Sequence, residues 1–214
     1  MPELMSQRMP EKMSRDRAAL DELLRSSILA HVGLVVDGRA AVFPIGFAVI
    51  DGALVIHGST GSRWMRALEG QEVSVTVTKL EGVVVARSTF ESSMLYRSAM
   101  IFGRFTAVPA ERKAAVLDAL SDRFIPGRSA EVRPSLKKEL AATMALELPI
   151  EQWSLRMNDA WPEDEDHDIA GDAWAGQVRF GAPSASVEGA PDLRPGIPVP
   201  ASVEALLAHP ERLV

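Results

Sequence analysis

The chain contains no cysteine, which excludes disulfides, thiolate metal sites and a cysteine nucleophile and leaves the compartment open. It has no apolar run of the roughly 18 to 20 residues that a membrane span needs. Its start, MPELMSQRMPEKMSRDR, is polar and Met-rich and lacks a signal-peptide core. The expectation is a cytoplasmic protein with no membrane partner. Cations are in deficit: 23 Lys and Arg against 29 Asp and Glu give a formal net charge of -6. Phosphate-backbone affinity needs clustered Lys and Arg, so no nucleic-acid partner is expected. No P-loop, nucleophile elbow or Gly-x-Gly-x-x-Gly occurs, which argues against NTPase, hydrolase and Rossmann chemistry. The four histidines, His31, His57, His167 and His209, show no metal-binding spacing, and no metal site is expected. His167, in the acidic run EDEDHD, either joins carboxylates around a divalent ion or lies in a solvated loop.

What is present is a chain of 214 residues, 47% hydrophobic, enough for one well-buried domain with appendages. Residues 16–30, DRAALDELLRSSILA, place Leu20, Leu23, Leu24, Ile28 and Leu29 near one helical stripe. In the segment that follows, Asp37-Gly38 and Asp51-Gly52 each separate runs rich in Val, Ile and Phe, predicting three antiparallel strands in a meander. After a helix over 60–69, EVSVTVT alternates strictly, with Val73, Val75 and Val77 on one face and Ser74, Thr76 and Thr78 on the other. That uncharged second face is either a ligand-facing surface or ordinary β-propensity of Thr. Glu81-Gly82 reads as a turn before the strand VVVARSTF, and YRSAMIFGRFTAV is another strand. PAERKAAVLDALSD and RPSLKKELAAT predict helices and TMALELPIEQWSLRM a late strand. Six or more short strands with inserted helices give an α+β fold built on an antiparallel β-barrel, closed or split, with flanking helices. WPEDEDHDIAGD reads as a solvated loop, and residues 181–214 as a Pro/Gly/Ala-rich tail whose last stretch can form a short helix.

One stretch asks for a ligand. In IHGSTGSRWMRALEG a strand ends at Ile56 and a helix begins before Trp64, so the hydroxyls and glycines sit at a helix N-terminus, where free amides suit an anion. The same residues also serve as a plain turn and N-cap.

The order of motifs, HVGLVVDG, VFPIGFAV, HGSTGSR, VSVTVTKLEGVVVARS, SMLYRSAMIFGR and WAG, resembles the pyridoxamine 5'-phosphate oxidase-like flavin-binding split barrels, and among them the bacterial nitroimidazole-reductase-like branch. The resemblance spans about residues 16–180. It implies an FMN-binding split-barrel domain over residues 1–180, a homodimer with FMN in the cleft between subunits, a nicotinamide nucleotide as electron donor and a small-molecule substrate. Ser59, Ser62 and Arg63 match the phosphate ligands, with Thr60 in the same turn and Gly58 and Gly61 permitting close backbone approach. Where the vitamin oxidases have Lys this chain has Trp64, which leaves Arg66 to compensate. Phe43, Pro44 and Ile45 match the strand whose backbone reads the flavin ring edge, and Arg97 and Ser98 the strand that borders the ring. Relatives often carry His-His after the ARSxF motif; here Glu91-Ser92 stand there. Trp174 of WAG covers the flavin edge or packs in the core. His57 is the candidate catalytic residue, orienting substrate or moving a proton, with a structural role as the alternative. The other readings are a flavin-binding or sensing module without turnover, and the same barrel holding haem or a deazaflavin. Haem needs an axial ligand, and no histidine announces itself in the sequence as one.

Overall fold

Local signals account for the first third of the fold, described here from a computed structural model covering residues 9–181, 186–187, 196 and 198–209. A two-residue strand, β1 (Met13–Ser14), precedes α1 (Arg17–Arg25). The Asp16 carboxylate caps α1 by accepting from the Ala18 N–H at 2.8 Å, and Leu20, Leu23 and Leu24 are buried. The helix is shorter than its apolar stripe predicts: Leu29 already belongs to β2 (Leu29–Val36), because Arg123 draws the chain out of helix by donating to the carbonyls of Arg25 and Ser27. The meander continues through β3 (Arg39–Ile50) and β4 (Ala53–Ser59), turning at Asp37-Gly38 and Asp51-Gly52, all four with positive φ between 50° and 79°. Then come α2 (Arg63–Leu68), β5 (Glu72–Val85), β6 (Ser93–Arg104), β7 (Thr106–Ala107), α3 (Ala110–Phe124), α4 (Lys137–Ala142), β8 (Thr143–Pro149), β9 (Gln152–Asn158), α5 (Asp166–Ile169), β10 (Gly176–Arg179) and α6 (Ala201–Ala208).

Three sequence expectations change. Glu81-Gly82 is not a turn: β5 runs through it as one strand of 14 residues with a bulge between Leu80 and Gly82. β6 pairs with both halves, and β10 lies so close that a Cβ at Gly82 would collide with the Val178 carbonyl oxygen. The late strand is two strands, β8 and β9, separated at Ile150 and Glu151. The acidic stretch is not wholly solvated: the Asp164 side chain is 1% exposed and holds Arg87, accepting from its backbone N–H at 2.7 Å and its guanidinium at 2.9 Å.

Among the described residues, ten strands form one antiparallel sheet in the order β1-β9-β6-β5-β2-β3-β4-β8-β7, with β10 on the far end of β5. β8 and β9 are consecutive in the chain yet lie on opposite sides of this order. Leu146 of β8 and Leu155 of β9 nevertheless share one buried cluster with Phe47, Phe105 and the leucines of α1. The sheet therefore curls around a common core without closing: the α+β split barrel of the two alternatives. A smaller apolar cluster packs α3, through Val116 and Leu120, on Ala48, Val55 and Ala145. In the tail, α6 meets the body where the Ser202 N–H donates to Glu131 Oε1 at 3.0 Å.

Candidate functional site

β3 and β4 part at Phe47 and Ile56. From that pair to the Asp51-Gly52 turn they are hydrogen bonded, but beyond it β3 pairs only with β2, over Arg39–Gly46, and β4 only with β8, over Ala53–Ser59. The splay leaves one backbone edge of β3 at Phe43, Pro44 and Ile45 without a strand partner, facing His57, Gly58 and Ser59 across a cleft. Backbone groups on this edge that lack a strand partner are open to pairing with another molecule. Phe43 and Ile45 turn inward onto the core; Phe43 stacks on Trp64 of α2, ring centroids 4.6 Å apart and planes 12° from parallel. Pro44 alone of the three opens outward.

The turn at the cleft rim is held by its own atoms and by the C-terminus of α4. Thr60 donates from its N–H and its hydroxyl to the Ala142 carbonyl, at 3.0 and 3.2 Å, and the Gly61 N–H donates to Ser59 Oγ at 3.1 Å. Arg66 donates to the Thr60 carbonyl at 2.6 Å, so it braces the turn instead of reaching out as a second phosphate ligand. Gly58 is required by α2, since a Cβ there would lie 2.9 Å from Met65 Cγ. Ser62 is the N-cap residue of α2, yet its side chain makes no capping bond. The plain-cap alternative is thus not what this hydroxyl does. Arg63, 73% exposed, pairs among the described residues only with the exposed Asp37 of the β2–β3 turn at 2.8 Å, an ion pair of the weak surface kind. Ser62 and Arg63 both stand at the N-terminus of α2. His57 keeps part of its ring at the surface; desolvation of the rest lowers its pKa from the usual 6.5, so it is neutral at pH 7.

The clip behind α4 is acid-sensitive. Glu139 accepts from Arg133 at 2.7 Å and from the Leu136 N–H at 2.7 Å, which lowers its pKa to about 2. Its contribution is complete above about pH 4.5 and is lost as the pH falls toward 2. Replacing Glu139 with Gln should remove this component from the acid limb of a pH–stability curve and leave the curve at neutral pH with the same shape.

The second predicted group is divided. Ser98 projects from the outer face of β6, its hydroxyl 2.9 Å from that of Thr78 on β5. Arg97, next to it in sequence, points the other way, 14% exposed between Glu81 at 2.6 Å and Glu22 at 3.5 Å. It lines a groove of about 810 Å³ with Thr78, Tyr96 and Phe180, within the size range of small-molecule pockets. Trp174 is not brought to either group: it lies over Gly176 at the far end of β5, 66% exposed, so it is not in the core.

One residue the sequence reading passed over stands in the middle of the outer face. His31 lies opposite Pro44 on β3 and Thr76 on β5, and Thr76 lies opposite Met100 on β6. Opposed residues project from the same side of a sheet, so His31 shares its face with Pro44, Thr76, Met100 and the Thr78–Ser98 pair. The available signal was the alternation of LAHVGLVV, which sets His31 apart from the buried Ala30, Val32 and Leu34. Among the described residues, no group of three His, Asp or Glu side chains is arranged to hold a metal ion, and His167 is 80% exposed. No helix among them is long and apolar enough to cross a membrane.

Similarity to known proteins agrees with this geometry. The FAD and haem binding protein of Mycobacterium smegmatis is 52% identical, the match covering 92% of this chain and 97% of that one, with a TM-score of 0.89. The flavocytochrome Anf3 of Azotobacter vinelandii is 30% identical, covering 96% of each chain, with a TM-score of 0.90. A candidate 5-nitroimidazole antibiotic resistance protein of Bacteroides thetaiotaomicron shares the fold at 17% identity, covering 67% of this chain and 84% of that one, with a TM-score of 0.53. No curated protein matches. The family profile of the pyridoxamine 5'-phosphate oxidases matches residues 16–157, across the splayed strands, the turn and the outer face. The chain belongs to the pyridoxamine 5'-phosphate oxidase family of split barrels.

Proposed function

We propose that this chain is a flavin-binding oxidoreductase with its flavin at the cleft between β3 and β4. The observation that carries the reading is the unpaired β3 edge facing a turn whose Ser62 hydroxyl and Arg63 are uncommitted to the fold. The flavin supplies hydride or electron transfer. Ser59, Ser62 and Arg63 hold its phosphate, the β3 backbone orients the ring, and the Phe43–Trp64 stack keeps water from the floor of the cleft. His57, neutral at pH 7, accepts or returns a proton at its ring nitrogen. The nucleotide is FAD, supported by what the relative 52% identical is named for; FMN, which the sequence resemblance implies, would use the same turn with one phosphate. Haem is a second group, supported by the names of both close relatives.

The rest of the reading is a cytoplasmic homodimer with the flavin at the subunit interface, a nicotinamide nucleotide as donor, a small organic molecule as acceptor, and residues 181–214 as an appendage to the flavin domain. Exposed apolar side chains on the outer face, Leu29, Val35, Val42 and Met100 among them, support a covered surface there.

The test is an absorption spectrum of the purified protein and mass analysis of the released cofactor, followed by anaerobic NADPH or NADH. Flavin bands that bleach support the oxidoreductase. Bands that do not respond leave a binding module, and a protein that takes up neither FAD nor FMN overturns the assignment. Asp37→Asn provides a finer check. Asn tolerates the positive φ of that turn as Asp does, and it releases Arg63 from a surface pair worth about 0.2 to 1 kcal/mol. Flavin should then bind about two- to fivefold more tightly in a fluorescence titration.

A further inference from the structure

We propose that His31 is the axial ligand through which this chain holds haem iron, on the outer face of β2. The proposal rests on the haem-binding reading above and adds the residue and the surface. An iron ligand needs an imidazole with a free ring nitrogen, and an apolar macrocycle needs a broad uncharged surface beside it.

The four histidines divide on these criteria. His167 is on α5 with its ring 3.6 Å from Asp168, among carboxylates that repel the propionate side chains of haem. His209 lies at the end of α6 and has an interaction partner. His57 stands at the rim of the phosphate turn, on the side of β4 that carries Val55 toward α3, with Phe124 of α3 lying over Gly46 of the neighbouring strand. That corner already belongs to the flavin in the reading above.

His31 meets both conditions. It stands mid-strand, exposed, and no hydrogen bond to its ring exists among the described residues. Around it, the row Pro44, His31, Thr76 and Met100, the row Val42, Gly33, Ser74 and Phe102, and the pair Leu29 and Gly46 contain no charged residue. Val42 is 65% exposed, Leu29 51% and Met100 41%, an apolar surface that is costly to leave in water. Gly33, two residues along the same face, adds no side chain that would hold a flat ring off the strand. The hydroxyls of Ser74, Thr76 and Thr78, on the strand between β2 and β6, keep this surface small and neutral, which accounts for the uncharged second face of EVSVTVT.

The experiment is a titration of the full-length protein, freed of bound groups, with haemin, read by Soret absorption and by electron paramagnetic resonance. Wild type should bind with the signature of histidine-ligated iron. His31→Ala should bind on the order of a hundredfold more weakly, the loss expected when the iron–imidazole bond is removed, and added imidazole should restore the histidine-ligated spectrum. His167→Ala, at an exposed position on α5, should bind as wild type does. Because His31 is exposed, the variant should keep the wild-type melting temperature, so a loss of binding will not be a loss of fold. An unchanged Soret band and resonance spectrum in His31→Ala, or a variant altered only in oligomeric state, overturns the assignment while haem binding stands. Wild type that takes up no haemin overturns the haem reading itself, and His31 with it, while the flavin assignment stands on its own test.

Discussion

Replacing Arg63 with alanine is expected to weaken flavin binding by about ten- to a hundredfold, the equivalent of one charge-assisted hydrogen bond of about 1.5 to 3 kcal/mol. The guanidinium is 73% exposed, and its one partner among the described residues is the carboxylate of Asp37 at 2.8 Å, itself largely in water. Little of the fold depends on it, so the melting temperature of the flavin-free variant should stay close to that of wild type. Fluorescence titration with FAD and with FMN measures the effect. An affinity unchanged for both would show that Arg63 does not touch the phosphate, and the Ser62 hydroxyl would lose its proposed companion. Comparison with Asp37→Asn adds a sign test, because the two substitutions act on one pair in opposite directions. Weakening in the first and tightening in the second requires Arg63 to be drawn on by flavin and carboxylate alike.

Replacing Asp164 with alanine should cost about 3 kcal/mol of stability, near the low end of what breaking a buried ion pair costs. The low end applies because Arg87 retains 29% exposure and can find water. Two bonds are lost at once, the Arg87 guanidinium at 2.9 Å and the Arg87 backbone N–H at 2.7 Å. Arg87 Nε is already buried without a partner among the described residues, and the substitution removes the bond at Nη1 as well. For a chain of this length the change corresponds to a drop in melting temperature of about 6 to 12 °C. Thermal unfolding by circular dichroism measures it. Asp164→Ala with Arg87→Met, which removes both charges, should recover much of the loss; a double variant no more stable than the single would assign the loss to packing of the 159–175 segment and not to the stranded cation. Flavin affinity measured in parallel should be unaffected, since Asp164 and Trp174 lie at the end of β5 away from the turn.

Much of this protein was legible where the deciding interaction is local. The Asp-Gly pairs specify their hairpins because the required positive φ belongs to the turn residues themselves. Asp16 and the leucines after it specify α1 through a cap two residues away and a stripe within three turns. The alternation of EVSVTVT specifies a strand with one core face, and HGSTGSR a turn chemically suited to an anion. Absent cysteine and the excess of acid over base excluded whole classes of chemistry from composition alone.

What the sequence could not show depends on residues distant in the chain. Glu81-Gly82 has the composition of a turn, and only pairing of β6 on one side and β10 on the other holds it in an extended, bulged strand. Asp164 reads as one more solvated acid until Arg87, 77 residues earlier, draws it inside. Arg66 reads as a spare phosphate ligand until its bond to the Thr60 carbonyl commits it to the turn. The cleft itself has no motif, because it is the place where β3 keeps β2 and β4 goes to β8. By itself the sequence determined most of the helices and strands, the two Asp-Gly hairpins and the chemistry of the turn, since backbone sterics and side-chain alternation act over a few residues. Only the tertiary structure decided which strand edges stay open and which histidine faces an uncharged surface, since those follow from pairings between distant segments.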